Sequence, residues 1–97
     1  MEKKLIAITT ICSRYEIEHS FIDALHHTDL IELNIIEQER FIHEDQLRDL
    51  EKMIRLHHEL NLNIEGIDIV FNLLEKEKML REEITVLKNR LQRYEGQ

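Results

Sequence analysis

The chain has 97 residues, of which 42% are hydrophobic and 34% charged, with no proline, two glycines and one cysteine. That length supports one domain with a modest core, and the scarcity of glycine excludes a pocket built from glycine-rich loops. A formal net charge of −7 opposes a phosphate backbone and suits a basic protein partner.

Cys12 stands alone, so no internal disulfide is possible and cysteine usage gives no sign of an oxidising compartment. Lys3 and Lys4 precede the apolar run at residues 5–8, which is too short for a signal-peptide core. No stretch approaches a membrane span, so the cytoplasm is the expected location.

Residues 5–8 read as a short strand or a lead-in. Thr9 and Thr10 offer an N-cap to a short first helix carrying Ile11, Cys12 and Tyr15. Ile17, Phe21, Ala24 and Leu25 fit one face of a second helix over about residues 18–28. Two short helices joined by a tight turn make a helix-turn-helix. The period then changes to two. Ile31, Leu33 and Ile35 alternate with polar residues, and Arg40, Phe41 and Ile42 follow. This predicts a β-wing of two short strands around a turn near residues 37–39, without the usual Asn-Gly signal. Helical spacing returns over residues 44–60, where Leu47, Leu50, Ile54, His57 and Leu60 share a face and Met53 lies beside it. Asn61, Leu62 and Asn63 break this helix. Asn63 can cap the next one, and Glu65 adds negative charge near its N-terminus.

The last segment is the most regular. Val70, Leu73, Glu77, Leu80, Ile84, Leu87, Leu91 and Tyr94 recur three and four residues apart, and only Glu77 interrupts the apolar stripe. In heptad terms Ile84 and Leu91 occupy a, and Leu80 and Leu87 occupy d. One helix over about residues 64–94 is expected, with a second half that outreaches so small a domain. The stripe of Leu80, Ile84, Leu87, Leu91 and Tyr94 therefore calls for a partner helix and a homodimer. The plainer alternative folds the stripe back onto its own domain, but strands and caps that would return the chain are missing. Pairing of g with the next e favours Glu83–Lys88 and Arg90–Glu95 and disfavours Lys76–Arg81, which does not choose an orientation. The expected division is a winged helix-turn-helix domain over residues 1–62 and a dimerising helix over residues 63–97, a mainly α fold.

Six histidines include the pairs His26-His27 and His57-His58. Adjacent histidines point about 100° apart on a helix and cannot chelate together, so no metal is expected. The plainer reading puts one histidine of each pair at the core edge and the other in water. Cys12, with Arg14 as its nearest basic residue in sequence, reads as a buried structural thiol. No catalytic constellation and no cofactor site emerges, so the chain does not read as an enzyme. The charges are more informative. Between Thr28 and Lys52 there are eight acidic residues against Arg40, Arg48 and Lys52. The wing lies inside that stretch, where a DNA-binding wing carries lysine and arginine. Glu37, Glu39, Glu44, Asp45 and Asp49 are therefore the candidate partner-binding residues.

The run ERFIHEDQLRDLEKMIRLHHELNLNIEGIDIVFNLLEK, residues 39–76, resembles the wing and following helices of MerR-type regulators. A closer resemblance is to the chaperone-modulator (CbpM) family, short MerR-like chains. Arg55-Leu56-His57-His58-Glu59-Leu60, then Asn63 and Gly66-Ile67, is similar to that family's Leu-x-His-Glu-Leu…Gly-Ile signature, and the tail LKNRLQRY is also similar. The resemblance implies a MerR-like winged helix-turn-helix with a long C-terminal coiled-coil helix. It further implies a protein that binds the J-domain of a DnaJ-like co-chaperone and blocks its productive contact with Hsp70. The basic Hsp70-facing helix of a J-domain would suit an acidic modulator. The alternative is a MerR-type DNA-binding transcriptional regulator. Against it, the second helix reads FIDALHHTDL, with neither arginine nor lysine where such regulators carry an Arg-Tyr-Tyr-Glu-like segment. Asn61 also departs from the modulators, standing where a helix-ending glycine is expected.

Overall fold

A computed structural model describes residues 4–96. The chain runs β1 (Leu5–Ala7), α1 (Ile8–Tyr15), α2 (His19–His27), β2 (Asn34–Ile36), β3 (Glu39–His43), a 3₁₀ turn (Glu44–Gln46), α3 (Leu47–Leu60) and α4 (Ile64–Glu95). The expected class is found: a mainly helical winged helix-turn-helix with a small sheet and one long C-terminal helix.

β1 passes directly into α1, which buries Ile8, Ile11 and Cys12. The N-cap position is Ala7, with no side-chain cap, so the expected capping by Thr9 or Thr10 is not what starts this helix. Both threonines lie exposed inside the first turn. Pairing of Ala7 with Phe41 holds it extended, and the sheet sets the helix start in place of a hydroxyl. Glu16 takes a left-handed conformation, φ 54°, and turns the chain toward α2. Ile17 is buried in that turn, ahead of α2 and not on its face. The face α2 buries is Phe21, Ile22 and Leu25.

The sheet order is β1-β3-β2, antiparallel throughout, with Ile6 opposite Ile42 and Ile36 opposite Glu39. The wing is therefore present, but its turn is unusual. Glu37 and Gln38 have φ of 51° and 68°, the signature of a mirror-image type I′ turn built without glycine. The expected alternation from Ile31 begins too early. Ile31 is buried in the loop before β2, while Ile35 on the edge strand is 71% exposed. Gln46 clips that loop by accepting the Glu32 N–H at 2.9 Å.

α3 buries Leu50, Met53 and Ile54, with Leu47 and Leu56 half-buried against the core. Leu60 leaves the expected face: it is 64% exposed, because the last turn runs past the core. Asn61 ends the helix at φ 55°, a conformation that asparagine tolerates better than most residues, so it stands in for glycine. The Leu62 N–H returns to the Leu56 carbonyl at 3.2 Å. Asn63 caps α4 as expected, its Oδ1 accepting the Gly66 N–H at 2.8 Å.

The buried apolar core ends at Ile67, with Phe71 half-buried beyond it. α4 has 32 residues, about 48 Å at 1.5 Å per residue. It thus accounts for most of the longest dimension of the molecule, 61 × 36 × 21 Å.

Candidate partner surface and helix stripe

Glu37 sits in the wing turn and Glu39 opens β3; Glu44 and Asp45 form the 3₁₀ turn at the other end of that strand, and Asp49 lies in the first turn of α3. All five are exposed. They form two groups. Glu44, Asp45 and Asp49 cluster where β3 meets α3, and Glu37 and Glu39 stand at the hairpin tip, about 16 Å away at the rise of a strand. An open cleft of about 600 Å³ adjoins the first group, lined by Asp29, Glu32, His43, Asp45 and Gln46.

Leu80, Ile84, Leu87 and Leu91 are each more than half exposed, and Tyr94 is 83% exposed. The stripe therefore does not fold back on its own domain. Glu77 pairs with Arg81 one turn on along the same helix. Nearer the core, Leu56, Leu60, Val70, Phe71 and Leu74 line a groove of about 270 Å³ between α3 and α4. Spacing alone did not reveal this groove, since Leu60 read as core.

Contacts of Arg40, Tyr15 and His57 also escaped the sequence reading. Arg40, the hairpin's one arginine or lysine, forms an ion pair with Asp23 on α2, and its Nη2 lies 3.1 Å from His19 Nδ1. The wing's cation is thus tied back to α2. The Tyr15 hydroxyl donates to Glu51 Oε2 at 2.9 Å, joining α1 to α3. Burial, the hydrogen bond to Glu51 and that carboxylate's charge together push the Tyr15 phenol up. His57 stacks on Phe21 at 4.6 Å between ring centroids, and its Nδ1 meets the Leu62 carbonyl at 3.0 Å. It fastens the α3–α4 turn while His58 faces water, as the plainer reading of that pair expected. The other pair departs from it: His26 and His27 are both exposed. Cys12 is buried as expected. Desolvation pushes its thiol up, outweighing Arg40, which lowers it and takes the place of Arg14 as the relevant cation.

Among the described residues, no group of three or more histidines, cysteines or carboxylates is placed to hold a metal, and no helix is long and apolar enough to cross a membrane. The exposed residues of α2 include His19, Ser20, His26 and His27, and the helix has no arginine or lysine.

A family profile described as "MerR HTH family regulatory protein" matches residues 6–89, from β1 into the last turns of α4. A curated relative, "Chaperone modulatory protein CbpM" of Pseudomonas entomophila, is 28% identical over 86 residues, 88% of this chain and 85% of that protein. No solved structure matches the chain. The resemblance to chaperone modulators read from residues 39–94 is thereby borne out. With its wing, its paired short helices and most of its long last helix inside the matched span, the chain belongs to the MerR HTH regulatory protein family.

Proposed function

We propose that this protein is a chaperone modulator: a cytoplasmic binding protein, not an enzyme, that acts as a homodimer. In this reading it binds the J-domain of a DnaJ-like co-chaperone and restrains its work with Hsp70. The observation that carries the reading is the acidic excess displayed at exposed positions of the wing and the start of α3, on a helix-turn-helix scaffold. A basic partner helix approaching that surface gains from long-range attraction and from charge pairs at contact. The name of the relative supports a chaperone partner in general.

The second reading, a MerR-type transcriptional regulator, has the family scaffold in its favour. The charges oppose it. Phosphate contacts need Lys and Arg on the recognition helix and wing. Here α2 has neither, and Arg40 is bound to Asp23.

In this proposal the dimer forms through Leu80, Ile84, Leu87, Leu91 and Tyr94, and the spacing favours antiparallel helices. The stripe positions 70, 73, 77, 80, 84, 87, 91 and 94 are symmetric about residue 82. An antiparallel pair thus meets Leu80 with Ile84 and Leu73 with Leu91. A parallel pair would stack Glu77 on its own copy at an a position, two like charges in an apolar layer. The antiparallel pair instead sets Glu77 beside Leu87, with the two carboxylates about 15 Å apart along the axis.

The test is the kinetics of binding to a purified J-domain. Reversing Glu39, Glu44 and Asp49 to lysine should slow association about tenfold at low salt and flatten its salt dependence. Exposed substitutions usually cost no more than about 0.5 kcal/mol, so circular dichroism and melting should stay near wild type. A folded variant that associates at the wild-type rate would leave the acidic surface without a role. Retardation of DNA fragments by the wild type at moderate salt would revive the regulator.

A further inference from the structure

We propose that the outer face of the three-stranded sheet is the docking floor for a basic amphipathic helix, its apolar stripe seated on Phe41. This rests on the J-domain reading and names the surface that such a partner would contact. Ile6 and Ile42 face the core. Side chains alternate along a strand, so Leu5, Ala7 and Phe41 face the other way. The register sets Ala7 beside Phe41 on β1 and Asn34 beside it on β2, with Ile36 diagonal to it. Among the described residues, none of Leu5, Ala7, Ile36 and Phe41 is part of the core cluster or of the apolar residues packed against it; Leu5, Ala7 and Phe41 are half-buried and Ile36 is 49% exposed. An antiparallel sheet with one face in water normally alternates apolar-in with polar-out. Here four of the seven outward positions, Leu5, Ala7, Phe41 and Ile36, are apolar, beside Asn34, Glu39 and His43, and a partly open apolar patch with a polar rim marks an interaction site.

The rim identifies the occupant. Glu37 and Glu39 stand at the hairpin end of β3. Glu44 stands at the opposite end, beside the cleft that Asp29, Glu32 and Asp45 line. The separation of about 16 Å along the strand equals three turns of α-helix. A helix lying along β3 would therefore place its apolar stripe on Phe41 and a lysine or arginine at each end. The cleft is roomy enough for one such side chain. A second copy of this chain is a poor occupant, because it would bring the same carboxylates against themselves. A phosphate backbone fails for the same reason, and it has no stripe to cover Phe41.

Ile35 and Ile36 are adjacent in sequence but project from opposite faces of the sheet, so they separate this proposal from a general effect of the wing. The experiment uses the full chain and a purified J-domain as the probe. Ile36→Ser should weaken binding about tenfold, chiefly through faster dissociation, as loss of an interface anchor does. Phe41→Ala should weaken it at least as much, and Ile35→Ser should stay within about twofold of wild type. Circular dichroism checks each fold; should Phe41→Ala unfold, the half-exposed Ile36 still decides. Wild-type affinity in folded Ile36→Ser would overturn the docking floor and leave the modulator reading standing. Equal losses from Ile35→Ser and Ile36→Ser would also overturn it, as would a fall in oligomeric mass without a change in J-domain affinity. A wild-type chain that binds no J-domain would sink both.

Discussion

Aspartate at both Ile84 and Leu87 should turn the proposed dimer into a monomer at every concentration accessible to sedimentation equilibrium. The wild type should give about twice the 11.8 kDa chain mass at micromolar concentration, and the variant a single chain. The new carboxylate at position 84 would enter an apolar layer against the partner's Leu80, and the one at position 87 would meet the partner's Glu77, a like charge; stripping water from an unpaired charge costs several kcal/mol. Two substitutions per chain place four such charges in one seam. The folded domain should be indifferent, since Ile84 and Leu87 lie well beyond Ile67, where the buried core ends. The far half of α4 should suffer. A helix of about 20 residues with no tertiary contact is marginal in water, so part of the signal at 222 nm should be lost. A wild-type monomer would sink the dimer, and so would an unaltered dimer in the variant. Orientation has its own readout. Leu91→Cys should not form an interchain disulfide under mild oxidation, because the antiparallel arrangement holds the two residues about 27 Å apart. Rapid quantitative cross-linking would establish parallel helices.

Local periodicity was a good guide wherever one element meets one surface. The 3-4 spacing from Val70 to Tyr94 specified α4, and Asn63 marked its start through a bond made within four residues. The return to period two placed the wing, although Glu37-Gln38 lacks the glycine that usually marks such a turn. What the sequence hid is what depends on position in the assembled fold. Leu50 and Leu60 fall on the same helical stripe, yet one is enclosed and the other hangs past the edge of the domain. Ile35 continues an alternation but belongs to an edge strand whose tip has outrun the core. Asp23 meets Arg40 across 17 residues, and Tyr15 meets Glu51 across 36. No spacing rule pairs residues so far apart. The acidic excess was countable in the sequence, but its division between the two ends of β3, with Phe41 between them, appears only once the register is known.

The two stripe leucines give the second large expected effect. Leu50→Ala should destabilise the winged domain by about 2–5 kcal/mol, whereas Leu60→Ala should cost about 0.5 kcal/mol or less. Leu50 is fully buried in a cluster with Ile8, Ile42 and Met53. Truncation there loses the transfer energy of the removed methyl groups and leaves a cavity that close-packed neighbours fill only in part. Domains of this size are stable by roughly 5–15 kcal/mol in total, so the loss is a large fraction of what holds the fold. At about 4–8 °C per kcal/mol for a domain of 60–100 residues, the melting temperature should fall by about 8 °C or more. Leu60 already meets water over most of its surface and has little burial to lose. The comparison belongs in the Ile84→Asp/Leu87→Asp background, where unfolding is not coupled to dissociation and Leu60, at the rim of the α3–α4 groove, has no partner chain to touch. Urea titrations followed at 222 nm would give both values. Equal losses at Leu50 and Leu60 would mean that α3 buries its whole stripe, as the spacing alone suggests, and that the domain's core extends through the last turn of that helix.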